Sequence, residues 1–368
     1  MIDFSFETLH RLGLNPALVQ HIHSQLSSAS PPGGAEWELV RLCEVHRESV
    51  EVDNGTLRYS ARCRLRLLNT LAEQGQALVV GDWALAWRET PEQAWIEQAL
   101  EPLNRLVRRD ADGTPHAVVS NVDTAFLAMG LDMDFNPARL ERYLALVQGR
   151  GVLPVVVLTK ADVATAQEGP EAVAARIDTL RQRIGSAVDI LALDSRSSDA
   201  AARLQPYLQA GQTVVLLGSS GTGKSTLTNT LLGSAVQDTG AVREHDSRGK
   251  HTTTSRSLHR LPGGACLIDT PGVRSLSPGI DAAALKQLYD DVTALAEGCR
   301  FRNCQHGDEP GCAVRASVHP ERLKNYHKLL RESRRDTMTP LDRQRQLATW
   351  KVRSKAARRR DSEKHDGA

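Results

Sequence analysis

No apolar run in the 368 residues approaches the roughly 18 that a membrane-spanning helix needs, so none is expected. The longest run, around Val155–Leu158, is the size of a strand. The opening residues, MIDFSFETLHRL, lack the basic-then-apolar pattern of a secretory signal. Cysteine is scarce and unevenly spread: Cys43, Cys63, Cys266, Cys299, Cys304 and Cys312. That pattern argues against a disulfide framework, and the last three crowd into 14 residues beside a histidine, as metal ligands do. Together these absences predict a cytoplasmic protein without membrane contact. A large charge excess is also lacking, with a formal net charge of +2. That balance hides an asymmetry. Residues 321–364 hold 15 Lys/Arg against 6 Asp/Glu, leaving 31 against 38 elsewhere. A basic end on a near-neutral body suits a polyanion, most simply nucleic acid, or is only a solvated helix.

The length allows two or three domains with real cores. Residues 1–26 predict a short helical lead-in, and SSASPPGGAE at 27–36 a breaker-rich linker. From Trp37 to about Arg108 the signals are short strands and turns, with Asp53-Asn54-Gly55 as a hairpin cue. Arg62-Cys63-Arg64-Leu65-Arg66-Leu67 alternates with period two, which predicts a strand with three arginines on one face. A small all-β barrel fits. Its arginines make it either a nucleic-acid platform or merely soluble. Cys43 and Cys63 are expected as small core residues. From Ala117 the apolar runs at 118–120, 152–158, 189–193, 213–218 and 266–269 alternate with helical stretches. That is the pattern of an α/β domain with a mainly parallel sheet. Beyond about residue 280 the chain reads as helical, broken by a Cys/His knot.

Gly218-Ser219-Ser220-Gly221-Thr222-Gly223-Lys224-Ser225 matches G-x-x-x-x-G-K-[ST]. It follows the strand TVVLL and opens a helix that begins at Ser225 and Thr226. The glycines let backbone N–H groups curl around phosphate oxygens at a helix N-terminus. Lys224 then bridges the outer phosphates, and the Ser225 hydroxyl ligates Mg²⁺. Downstream, Asp269-Thr270-Pro271-Gly272 ends the run CLID. An aspartate there holds Mg²⁺ through water, and the Gly272 N–H senses the last phosphate. Between them lies Gly249-Lys250-His251-Thr252-Thr253-Thr254, where a threonine can close on Mg²⁺. His251 is part of that segment's chemistry or a surface histidine.

Thr159-Lys160-Ala161-Asp162 follows the buried run VVVL. A carboxylate there accepts guanine N1–H and the exocyclic amine together, which adenine cannot supply, so the wrong base leaves it unpaired. The Lys160 stem lies along the base, and the turn Asp194-Ser195-Arg196 supports its other edge. The order is base reader, base support, phosphate loop, switch threonines, then DxxG. This is the GTPase cycle cut at a different point. Termini that lie close together permit such a cut without breaking the sheet. The metal knot, Cys299-x₄-Cys304-x-His306-x₅-Cys312, offers three thiolates and one imidazole, a set for structural zinc. Arg300, Arg302 and Arg315 around it contact RNA phosphates or only solvate the surface. From Arg343 to Arg360 a basic stretch with Trp350 at its middle suits phosphate contacts and base stacking.

On these motifs residues 37–330 resemble the circularly permuted, ribosome small-subunit-dependent GTPase family (RsgA/YjeQ). The resemblance implies a multidomain α/β protein with an all-β N-terminal part. The expected order is an extension and linker (1–36), an OB-fold RNA-binding barrel (37–110) and a circularly permuted P-loop GTPase domain (111–280). A helical zinc-binding module (281–335) and a basic tail (336–368) follow. It implies GTP/GDP, Mg²⁺ and Zn²⁺ as cofactors. Its partners are the small (30S) ribosomal subunit and 16S rRNA, and the protein is a monomer. GTP hydrolysis late in small-subunit maturation is slow alone and stimulated by the subunit. Lys224, Thr253 and His251 become the catalytic candidates, with Thr253 and Thr254 as the first switch and His251 placing the attacking water. Two departures stand out. Thr159 replaces the family's usual Asn, which implies weaker nucleotide binding while Asp162 keeps the base choice. Val273 stands where Ras-like enzymes carry a glutamine, which fits slow intrinsic turnover. The competing readings are a GTP-regulated RNA-binding protein with little turnover and a P-loop ATPase.

Overall fold

A computed structural model describes residues 4–26, 35–109, 114–234, 256–270, 277–278 and 282–336. The lead-in forms α1 (Phe6–His10) and α2 (Pro16–His23). Ser5 and Asn15 cap them by accepting from the N–H groups of Thr8 and Leu18. Their apolar side, Leu9, Leu12, Leu14, Leu18 and Ile22, packs on Leu39, Trp83, Leu85 and Leu100 of the barrel.

The barrel contains β1 (Glu38–Val45), β2 (Val50–Asp53), β3 (Arg58–Cys63), α3 (Leu65–Glu73), β4 (Trp83–Thr90) and β5 (Gln93–Ala99). It closes in the order β1-β2-β3-β5-β4. The predicted hairpin is present between β2 and β3. Gly55 takes φ +92° there, Asp53 Oδ1 accepts its N–H at 2.8 Å, and Asn54 Oδ1 accepts from Thr56 and Leu57. The six-residue alternation at 62–67 is not a strand throughout. β3 ends at Cys63 and Arg64 starts α3. The helical spacing Leu67–Leu71, which packs a half-buried Leu67 and a buried Leu71 on the barrel core, wins over the period of two. Arg62 and Arg66 are exposed. Arg64 instead lies over Trp87 and Trp95, 5.0 and 4.6 Å from the ring centroids. Cys43 is buried, and burial pushes its thiol up to about 12.

A hairpin of β6 (Arg105–Arg109) and β7 (Pro115–Ser120) leads from the barrel. The apolar run at 118–120 therefore belongs to this antiparallel pair, not to the main sheet. The main sheet starts with β8 (Thr124–Gly130), which the sequence reading passed over. Then come α4 (Pro137–Gln148), β9 (Leu153–Thr159), α5 (Ala161–Glu168), α6 (Pro170–Ile184), β10 (Asp189–Ala192) and α7 (Ser198–Leu204). β11 (Thr213–Leu217), α8 (Lys224–Leu232), β12 (Ser257–Arg260) and β13 (Cys266–Asp269) complete the domain. The order is β10-β9-β8-β11-β13-β12, parallel except for β12.

Side chains alternate across each strand, so one sheet feeds two cores. Val156, Leu158, Val215 and Leu217 enter the core that holds α4 and α6, while Val155, Val157, Val214 and Leu216 meet α7 and α8. The short β14 (Ser277–Pro278) pairs with β6 and is followed by α9 (Ala282–Leu288), α10 (Asp290–Ala296), α11 (Ala313–Ser317) and α12 (Pro320–Asp336). Leu285, Val292, Val314 and Leu329 of these helices share the core of α4, which therefore lies between the sheet and the C-terminal helices.

Two contacts fix the barrel to the sheet. Arg41 is fully buried and donates to the carbonyls of Leu12, Gly81 and Asn121 and to Thr213 Oγ1 at the start of β11. Arg260 of β12 pairs with Asp53 and donates to the Gly55 carbonyl. Among the described residues no helix is long and apolar enough to cross a membrane.

Candidate functional site

Parallel strands bring β9, β10, β11 and β13 to one carboxyl edge, where ligands of open α/β sheets bind. From β11 the chain turns at Gly218, where a side chain would come within 2.5 Å of the Ala128 carbonyl of β8. Gly221 and Gly223 both adopt φ +83°, and Gly223 delivers the chain into α8. The loop is tied by Thr222 Oγ1 donating to the Ser219 carbonyl at 3.0 Å. Lys224 Nζ donates to the carbonyls of Gly218 and Ser219 at 3.0 and 2.6 Å. Burial pushes its ammonium down to about 8, against the pull of Asp269 and Asp134. Asp269 is buried at the end of β13, its carboxyl raised by burial and drawn back by Lys224. Thr270 Oγ1 donates to the Leu216 carbonyl at 2.5 Å, which pins this turn beside β11. Ser225 and Thr226 are half-buried in the first turn of α8.

The segment Thr159–Asp162, expected to read the base, stands two strands away. Lys160 takes φ +60°, an uncommon conformation for a side-chain-bearing residue, and its Nζ pairs with Asp132 at 2.6 Å. Burial would raise the Asp132 carboxyl, but the Lys160 hydrogen bond and neighbouring N–H groups hold it below its ordinary value. Asp162 is exposed in the first turn of α5 and has no hydrogen-bond or ion-pair partner among the described residues. Thr159 is fully buried, and its hydroxyl donates to the Thr222 carbonyl at 2.7 Å. It therefore clamps the end of β9 to the phosphate loop. Ser195 is buried with Oγ unpartnered, and its carbonyl accepts from Thr230 Oγ1 at 2.6 Å. A Cβ on Gly223 would lie 3.6 Å from Ser195 Oγ and 3.7 Å from Thr159 Oγ1, so the segments after β10 and β9 and the phosphate loop converge.

Between α10 and α11, Cys299, Cys304, His306 and Cys312 place their ligand atoms within 4.8 Å of one another. Cys299 Sγ and Cys312 Sγ are each 3.6 Å from His306 Nδ1, and 4.0 Å apart. Tetrahedral zinc with Zn–S near 2.3 Å sets sulfur–sulfur edges of about 3.8 Å, so the donor set fits that ion. Backbone N–H groups of Val314 and Ala313 hold the Cys299 thiol below its ordinary value, which favours the ligating thiolate.

Lys224, Thr159, Ser195 and Asp269 are thus brought together in one site and the four metal-type ligands in another, while Asp162 is exposed in the first turn of α5. His251, Thr253, Thr254, Gly272, Val273 and the basic tail lie outside the described residues. Sequence reasoning missed Asp132 and Tyr143. Tyr143 of α4 is buried, and burial raises its hydroxyl above the ordinary value, with Ser219 of the phosphate loop drawing it back. The only forewarning was polar residues in the stretch after β8.

A phosphate loop after β11, a carboxylate after β9 and Asp269 at the end of β13, on one sheet edge but in this chain order, define a circularly permuted P-loop GTPase. The RsgA GTPase family model matches residues 100–278. A protein of Xanthomonas axonopodis pv. citri named small ribosomal subunit biogenesis GTPase RsgA is 42% identical over 321 residues, covering 82% of this chain and 85% of its own. One of the same name from Xanthomonas campestris pv. campestris strain B100 is 47% identical over 258 residues, 68% of each chain. Two solved structures share the fold at 21% identity. The circularly permuted GTPase YloQ has a TM-score of 0.54, with 84% of this chain and 100% of that one covered. YjeQ from Thermotoga maritima has 0.55, with 81% and 98% covered. The chain belongs to the RsgA GTPase family. It is a GTP-hydrolysing enzyme that works with GTP, GDP and Mg²⁺.

Proposed function

We propose that this GTPase binds the small (30S) ribosomal subunit and hydrolyses GTP late in its maturation, with turnover stimulated by the subunit. The observation that carries this reading is the 42% identity over 321 residues to a protein named for small-subunit biogenesis. In this reading the protein is a cytoplasmic monomer and 16S rRNA is the polyanion met by its basic surfaces. The barrel (37–110), the GTPase domain (111–280) and the zinc module (281–335) are the working units. The loop Gly218–Thr226 cradles the phosphates, with Lys224 on the outer pair. Ser225, Thr253 and, through water, Asp269 hold Mg²⁺, which supplies charge to the transferring phosphate. Asp162 reads guanine, with Lys160 along the base and Ser195 beneath it. Thr254 and Gly272 complete the switches, and His251 orients the attacking water. Cys299, Cys304, His306 and Cys312 hold a structural zinc ion. Such a site needs little covalent chemistry from the protein; positioning and charge do the work.

Co-sedimentation tests this. With a non-hydrolysable GTP analogue the protein is expected to pellet with small subunits and stay in the supernatant with large ones, and GDP is expected to release it. Equal pelleting with both subunits whatever the nucleotide would remove the small-subunit reading and leave non-specific RNA binding.

A further inference from the structure

Lys160 has a partner outside every sequence motif: its Nζ lies 2.6 Å from Asp132 Oδ2. Asp132 stands two residues past the end of β8, the strand between β9 and β11. Its other oxygen is engaged too. Asp132 Oδ1 accepts the Asp134 N–H at 3.0 Å, and the Phe135 N–H donates to the Asp132 carbonyl at 3.0 Å, so the turn closes on the aspartate itself. A Cβ at position 130 would lie 2.5 Å from Oδ1, so Gly130 leaves the room this oxygen occupies.

The segment that carries Asp132 is fixed from three sides. The Leu131 N–H donates to the Thr159 carbonyl at 3.0 Å, which carries the β8–β9 ladder past Gly130. Arg176 of α6 donates to the Leu131 carbonyl at 3.1 Å, pairs with Glu168 at 2.7 Å and lies 5.8 Å from the Phe135 ring centroid. Arg139 of α4 pairs with Asp134 at 2.6 Å. A tied turn thus presents a carboxylate to a lysine, whose four-carbon stem is otherwise free to take many rotamers. The exposed fractions of the two side chains are 39% for Asp132 and 33% for Lys160. An ion pair so open to water adds little to stability. What it does fix is the direction of the lysine.

We propose that Asp132 is a positioning residue for the nucleotide base: its carboxylate holds the Lys160 ammonium toward the end of β8, so that the stem is already directed when a guanine arrives. This rests on the reading of Thr159–Asp162 as the base reader. Ordering a free lysine side chain costs part of the binding energy, and a pair that orders it beforehand removes that cost. A base seated on the stem also excludes water from the pair, which strengthens it. In this role Asp132 acts through Lys160, on binding rather than on the chemical step.

Titration of the full-length protein with a fluorescent GDP analogue, together with multiple-turnover GTP hydrolysis, tests it. Asp132→Asn keeps the size of the side chain and an oxygen for the Asp134 N–H, and removes the charge. It is expected to weaken the analogue about two- to tenfold, the cost of ordering one flexible side chain. KM for GTP is expected to rise by the same factor without a fall in kcat. Lys160→Met keeps an apolar stem and removes the ammonium. In that background Asp132→Asn is expected to cause no further weakening. Equal weakening in both backgrounds would mean that Asp132 only shapes its own turn, and unchanged affinity in the single variant would mean that the lysine needs no guide; either overturns the proposal. A kcat that falls with the affinity would overturn it as well, by placing the effect on the chemical step. A wild type that binds the GDP and ADP analogues equally would instead sink the base-reading assignment beneath it.

Discussion

Asp162→Asn is expected to exchange GTP for xanthosine triphosphate. The carboxylate accepts two guanine donors, N1–H and the exocyclic amine. An amide offers one acceptor and one donor, so it leaves the guanine amine unpaired but donates to the C2 carbonyl of xanthine. Sites built on such hydrogen bonds discriminate strongly, and the preference between the two nucleotides is expected to change on the order of 10⁴-fold. Asp162 is exposed and unpartnered among the described residues, so its substitution leaves the fold intact and the effect falls on the base. Fluorescent analogues of both nucleotides, titrated into wild type and variant, measure the change. Unchanged GTP binding in the variant would mean that the base is read elsewhere, and an ATP preference in the wild type would make TKAD an accident.

Cys312→Ser is expected to unfold the C-terminal module rather than loosen it. Cys312 is the buried member of the four ligands and also caps α11, its Sγ accepting from the Arg315 N–H at 3.3 Å. Structural zinc supplies about 10–16 kcal/mol of apparent binding energy in small modules, more than helices of this size recover by packing. α12 should lose its exchange protection. The core of α7 and α8, on the far side of the sheet, should keep its own. Because the module shares a core with α4, the main melting transition should fall as well. Metal analysis accompanies the melt: one zinc per wild-type chain and none in the variant. A zinc-free wild type, or a variant with unchanged protection in α12, would show that the cluster is not a folding site.

Much of this was legible in the sequence because the chemistry is local. The phosphate loop, DxxG, TKAD and the Cys/His knot are each contiguous, and the strands before them are short apolar runs. Their inverted order announced the cut sheet. The errors came where local patterns compete. Arg62–Leu67 alternates for six residues, but Leu71 extends it into a helical repeat that buries Leu71 and packs the half-buried Leu67 beside it. Val118–Ser120 and Thr124–Gly130 are separated by three residues, with Asn121 at φ +51° making the turn between two different sheets. No local period tells the chain which run pairs with β9. The polar contacts of α4 were illegible for another reason. Glu141 reads as a solvated helix charge, and its partner Asn325 is 184 residues away. The clamp from Thr159 to Thr222 spans 63 residues and gives the threonine a structural use that the motif does not state.

The central claim is a GTPase whose activator is the small ribosomal subunit, and phosphate release under multiple turnover tests it most directly. GTP hydrolysis is measured with purified small subunits, with large subunits and with neither. The account predicts slow turnover alone, no acceleration by large subunits, and stimulation by small subunits. Equal slow turnover in all three would contradict it and leave a GTP-binding protein with a different activator.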